Sequence, residues 1–142
     1  MAYFSNDLPG PVPGLDDREF WEQCQQRRLM FQRCIDCGKV RHPPAPGCKA
    51  CGSFESDCVE AGDDAELFSY TVVHHAAHEA VRGSVPYNIA IVRYPALDDV
   101  RIVSNVIDVA SDDLRIGMPL SLVWEKAGNG LLVPRYSRAV GK

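Results

Sequence analysis

Four of the six cysteines, Cys34, Cys37, Cys48 and Cys51, form two C-x2-C pairs separated by ten residues. Glycine follows each pair, in CIDCG and CKACG, and a tight turn at Gly38 and Gly52 lets backbone N–H groups face the sulfurs and stabilise thiolate charge. Four thiolates at this spacing suit one Zn2+, which accepts sulfur ligands in a tetrahedron without redox change. A complete four-sulfur shell leaves no position for water, so the chemistry expected is structural rather than catalytic. Iron is the competing cation, because rubredoxin-like electron carriers also use glycine-bearing knuckles. The intervening GKVRHPPAPG, however, is rich in proline and contains no aromatic residue, where the iron carriers usually pack aromatics. Disulfides are the other use for such cysteines. The start MAYFSNDLPG lacks the basic region and apolar core of a signal peptide, which predicts a cytoplasmic, reducing location that disfavours them.

The histidines carry a weaker signal. His74 and His78 have the i, i+4 spacing that binds metal on a helix, but the residues before them alternate as a strand, which predicts His74 and His75 on opposite faces. His42 is expected at the surface, since four cysteines already complete the metal shell. No serine or cysteine nucleophile motif, HExxH pattern or phosphate-cradling loop accompanies these residues, so a binder or scaffold is expected rather than an enzyme.

The elements that must position the cysteines are legible in the periodicities. Residues 4–14 hold three prolines and two glycines, an extended arm lying on this chain's own body or on a partner. Asp16 and Glu19 have capping-box spacing, and Phe20, Trp21, Cys24 and Arg28 form one stripe of a helix over 17–27 with Cys24 on its inner face. Alternation over 29–33 predicts a strand entering the first knuckle. Beyond the second knuckle, strand periodicity recurs over 66–75, 87–94, 100–109, 120–124 and 131–136, the last shortened or bent at Pro134. The turn between the second and third of these falls at Leu97, Asp98 and Asp99. Five short strands without a convincing helix favour a small closed or partly closed barrel, because closure removes exposed edges. The expected fold is therefore mainly β: an arm and helix over 1–28, a rubredoxin-like zinc ribbon over 29–60 and a five-stranded OB-fold barrel over 61–142. No apolar run reaches the roughly 18 residues of a membrane span, so no membrane association is expected.

Charge is unevenly spread around a net of -4. Residues 27–49 hold six basic side chains against Asp36, whereas residues 55–66 hold six acids and no base. The basic ribbon is a candidate surface for an anion. The acidic run opposes a nucleic-acid backbone, which leaves a single-stranded nucleic-acid-binding ribbon and barrel as the rival function rather than the preferred one.

In combination these motifs carry a resemblance. The helix with Phe20 and Trp21, the LxxxRCxxCG entry over Leu29 to Gly38, prolines before the second CxxCG, SYTVVH over Ser69 to His74, the pair Pro86 and Tyr87, and G-x-P-L at Gly117 to Leu120 occur in order. Over residues 15–140 the chain resembles the acyl-CoA-associated zinc-ribbon/OB-fold family, long catalogued as a domain of unknown function. The resemblance implies a non-catalytic accessory subunit in a hetero-oligomer with a thiolase-like enzyme: a thiolase, an acyltransferase or the aldolase that shortens steroid side chains. It transfers no catalytic residue. The family often has a glycine-rich turn before SYTVVH, where this chain has only Gly62. Under that reading Arg82, Tyr87 and His74 are candidate contacts for acyl-CoA, and the bound metal is structural Zn2+.

Overall fold

A computed structural model describes residues 2–139. Helix α1 (Arg18–Gln25) turns its apolar stripe inward, with Cys24 fully buried and Phe20 nearly so. Its start departs from the expected capping box. Asp17, not Asp16, occupies the N-cap, and its carboxylate makes no capping bond because it accepts from Gly14 N–H at 2.6 Å and Trp21 Nε1–H at 3.2 Å.

Strand β1 (Met30–Cys34) is the centre of a three-stranded antiparallel sheet, flanked by β2 (Val40–Arg41) and β3 (Ser56–Glu60). Neither flanking strand was legible in the sequence. β2 is only two residues long, beside prolines, and β3 lies in the acidic run, where its carboxylates face the basic partner strand. Arg33 pairs with Asp57 at 2.9 Å and Arg28 with Glu60 at 3.9 Å, so the two opposite charge runs neutralise each other in part across one strand pair.

The second half holds β4 (Glu66–Val73), β5 (Tyr87–Tyr94) and β6 (Val100–Ser104) in one antiparallel sheet, and β7 (Leu120–Lys126) with β8 (Leu132–Arg138) in a hairpin. β5 alternates without a break, burying Asn88, Ala90, Val92 and Tyr94. The expected turn is present, and Asp98 and Asp99 adopt positive φ there. β6 stops earlier than its apolar pattern predicts. Beyond Ser104 the chain crosses to the hairpin, where Val106 forms a parallel bridge with Tyr136 and Ile107 N–H donates to the Tyr136 carbonyl at 2.8 Å. β8, by contrast, runs through Pro134 instead of stopping at it, and that residue's carbonyl accepts from Ser104 Oγ at 2.8 Å. The two sheets meet through such bridges, including Glu66 with Pro119, so the barrel is only partly closed.

One core serves both halves. Phe31 of the ribbon sheet is fully buried, its ring 5.3 Å from that of Tyr94 in β5, and Val40 N–H donates to the Asp98 carboxylate at 2.9 Å. Tyr94 and Tyr136 share a hydrogen bond of 2.7 Å at the centre, and burial pushes the Tyr94 phenol up to about 12.

The proline-rich arm lies on the chain's own body. Tyr3 N–H donates to Glu125 at 3.0 Å, Tyr3 Oη accepts from Asn88 Nδ2 at 3.0 Å, and Phe4 meets the Tyr87 ring at 5.1 Å. Asn88 is the anchor: it is 2% exposed, and its amide also joins the Val106 carbonyl and N–H, each at 2.8 Å. Asn88→Ala leaves these buried groups unsatisfied, and chemical denaturation should show a loss of roughly 2–4 kcal/mol. A loss within error of zero would mean that the network contributes nothing net.

Candidate functional site

The two knuckles are built alike. Cys34 N–H donates to the Lys39 carbonyl and Cys48 N–H to the Ser53 carbonyl, both at 2.9 Å, while Gly38 and Gly52 return N–H bonds to the Cys34 and Cys48 carbonyls at 2.9 and 2.8 Å. These turns need φ values of 78° and 79° at the two glycines, a region that side-chain-bearing residues avoid. The knuckles are tied together by Ile35 N–H to the Glu55 carbonyl at 3.0 Å and by Ser53 Oγ–H to Asp36 at 2.5 Å.

The geometry brings the sulfurs of Cys34, Cys37, Cys48 and Cys51 within 4.8 Å of one another. Cys34 and Cys51 approach to 3.5 Å and Cys37 and Cys48 to 3.6 Å, far longer than a disulfide bond and close to the about 3.8 Å edge of a tetrahedron with 2.3 Å zinc–sulfur bonds. Backbone N–H groups of Cys37 and Asp36 aimed at Cys34 lower its pKa, and those of Cys51 and Ala50 bring Cys48 down to about 6. At Cys51 the Ser53 N–H also favours the thiolate, but the neighbouring sulfurs of Cys34, Cys37 and Cys48 outweigh it and hold the group up at about 12. Four sulfurs this close cannot all carry charge unaided. A divalent cation removes that conflict, so the donor set fits zinc in chemistry as well as in distance.

The other sequence candidates lie elsewhere. His74 falls just past the end of β4 and Tyr87 begins β5, with Val73 and Tyr87 paired across the ladder, so the two share one end of that hairpin. Arg82, exposed, follows the 3-10 turn Glu79–Val81 in the same connection. β4 ends at Val73, so His74 and His75 lie beyond the strand whose alternation was expected to separate them; both are exposed. His42 is not a surface residue. Its ring lies 4.9 Å from Phe20 and 5.4 Å from Phe31, and its Nδ1 is buried with no hydrogen-bond partner among the described residues. Neither its flanking prolines nor its polarity signalled this position.

Burial lowers the His42 pKa from 6.5 to about 4. Between those values the unfolded chain binds the proton more readily, so stability falls as pH drops through this window by about 1.4 kcal/mol per unit. Urea unfolding at pH 6 and pH 5 should show a loss of about 1 kcal/mol in the native chain and a smaller one in His42→Phe. Equal losses in the two would rule out the imidazole as their source.

Comparison with known proteins places this geometry. The model of the ChsH2 rubredoxin-like zinc ribbon domain matches residues 21–57, and that of the ChsH2 C-terminal OB-fold domain matches residues 58–125. A probable enoyl-CoA hydratase alpha subunit of Thermomonospora curvata is 42% identical over 132 residues, covering 92% of this chain and 40% of the relative. The chain thus spans about two fifths of that protein's length. A DUF35 domain-containing scaffold protein of Methanocaldococcus jannaschii is 28% identical over 108 residues, covering 75% of this chain and 74% of the relative. Among solved structures, one described as Ltp2-ChsH2(DUF35) aldolase superposes with a TM-score of 0.82 at 40% identity, covering 92% of this chain and 100% of the other. A DUF35 protein of unknown function from Sulfolobus solfataricus shares the fold, with a TM-score of 0.64 at 19% identity over 89% of this chain and 87% of its own.

Proposed function

Because the chain belongs to the DUF35 family in its ChsH2-type form, a zinc ribbon followed by an OB-fold, we propose that it is a non-catalytic accessory subunit of a thiolase-like enzyme. Cys34, Cys37, Cys48 and Cys51 hold structural zinc, and the ribbon they organise docks on the partner, an acyl-CoA thiolase, an acyltransferase or a steroid side-chain aldolase. The observation that carries this reading is the surface of the knuckles. Ile35 and Phe54, 57% and 80% exposed, stand beside the metal ligands, on segments that the Ile35 to Glu55 bond holds together. Large apolar side chains on a rigid metal-braced turn are suited to burial against another protein. Relatives described as a scaffold and as part of an aldolase support an assembly role.

His74, Arg82 and Tyr87 remain the proposed contacts for acyl-CoA. They share the connection between β4 and β5, where the Arg82 guanidinium suits phosphate oxygens and Tyr87 offers a ring surface. The nucleic-acid alternative loses support from the ion pairs Arg33 to Asp57 and Arg28 to Glu60, which offset part of the basic run. Among the described residues, no helix is long and apolar enough to cross a membrane.

Purification of the tagged chain from its native host, followed by identification of bound proteins, tests the reading. A thiolase-fold companion in fixed ratio is the expected result. Recovery of the chain alone, under conditions that preserve its zinc, would overturn the accessory role.

A further inference from the structure

The arm, α1 and the strands β6 to β8 enclose a cleft of 640 Å3 that the metal centre does not use. That volume lies within the about 300–1,000 Å3 of small-molecule sites. Its walls are mostly apolar, with Leu8 and Pro11 from the arm, Trp21 from α1, Ile102 and Val103 from β6 and Val133 from β8. The polar lining is uneven in sign: Arg101, Lys126 and Arg135 against a single carboxylate, Glu125.

Two buried polar atoms on this lining, His42 Nδ1 and Arg135 Nε, have no hydrogen-bond partner among the described residues. Glu125 pairs with Arg135, yet its Oε1 stands 4.0 Å from that nitrogen, beyond hydrogen-bond reach, while accepting from Tyr3 N–H at 3.0 Å. A guanidinium Nε is always a donor and buried donors are normally satisfied, so Arg135 suits an oxygen acceptor. The apolar walls favour a singly charged acceptor, since desolvation rises steeply with charge, and a guanidinium matches a carboxylate through two parallel bonds.

We propose that the cleft binds an amphipathic monocarboxylate, its apolar body between the arm and β6 and its carboxylate on Arg135. This site requires neither a partner subunit nor a coenzyme, so it stands or falls independently of the accessory role. Trp21 on the cleft wall provides a signal, with Trp21→Phe identifying the portion that does not come from it.

The zinc-loaded full chain is titrated with dodecanoate, 1-dodecanol and dodecyl phosphate, reading tryptophan emission and heat of binding. Dodecanoate should bind saturably and the alcohol about tenfold more weakly, the loss expected for one missing charge-assisted contact. Val103 is 67% exposed, so Val103→Glu leaves the core intact while placing a like charge at the cleft. It should weaken dodecanoate about tenfold and dodecanol far less, and Arg135→Gln should weaken dodecanoate to the level of the alcohol. Absence of saturable dodecanoate binding, or binding indifferent to Val103→Glu, would overturn the site. Tighter binding of the alcohol or the phosphate ester would overturn the carboxylate assignment.

Discussion

A Cys34→Ser chain should emerge from purification without stoichiometric zinc and with a thermal midpoint lowered by roughly 10 °C or more. Serine does not ionise at neutral pH, so three sulfurs remain where the tetrahedral site needs four anionic donors. Zinc contributes about 10–16 kcal/mol to the folding of isolated ribbons, comparable with the whole stability of an ordinary domain. The damage should not stop at the knuckles. Cys34 ends β1, and three residues earlier on that strand Phe31 is buried against Tyr94. A single lowered transition is therefore expected in calorimetry, rather than a lost ribbon beside an intact barrel. Cys58→Ser is the control, because that thiol lies outside the cluster, 3.8 Å from Glu19, and should leave zinc and midpoint nearly unchanged. Full zinc occupancy in Cys34→Ser would refute the ligand set.

Replacing Phe54 by aspartate should abolish co-purification with the partner while leaving zinc content and melting behaviour intact. Phe54 is 80% exposed, so the isolated chain loses little packing. In a complex the same ring would be buried, and a carboxylate there would be desolvated without a counter-charge. Central aromatic positions of interfaces typically contribute 2 kcal/mol or more, which corresponds to a weakening of about 30-fold or greater. Ile35→Asp tests the neighbouring position by the same reasoning and should be similarly disruptive. A binding assay with purified partner would quantify both. Unchanged affinity in both variants would place the docking surface elsewhere on the molecule.

What was legible in the sequence follows from how local each signal is. Knuckles declare themselves because cysteine spacing and the glycines after each pair belong to one short segment, and their sulfurs do converge. β5 declares itself because each inward residue alternates with a more exposed one over its whole length. The misses depend on distant partners. β6 ends where Asn105 and Val106 leave to meet Asn88 and Tyr136, a departure invisible in its own apolar pattern. His42 looks like a loop residue until α1 and β1 bring Phe20 and Phe31 around it. Asp17 stands at the N-cap without a capping bond because Gly14 and Trp21 occupy its carboxylate, a competition the capping-box spacing does not show. A closed or partly closed barrel was legible from the five short strands, but the bridges that join its sheets, such as Glu66 to Pro119, were not, since they link segments far apart in the chain.

The contact of Phe31 with Tyr94, and the bond from Val40 to Asp98, make the two halves mechanically continuous. Cellular depletion of zinc would then slacken not only the knuckles but also the β5–β6 turn on which Asp98 sits. Supply of one trace element would in this way govern how many copies of the chain persist in the folded form.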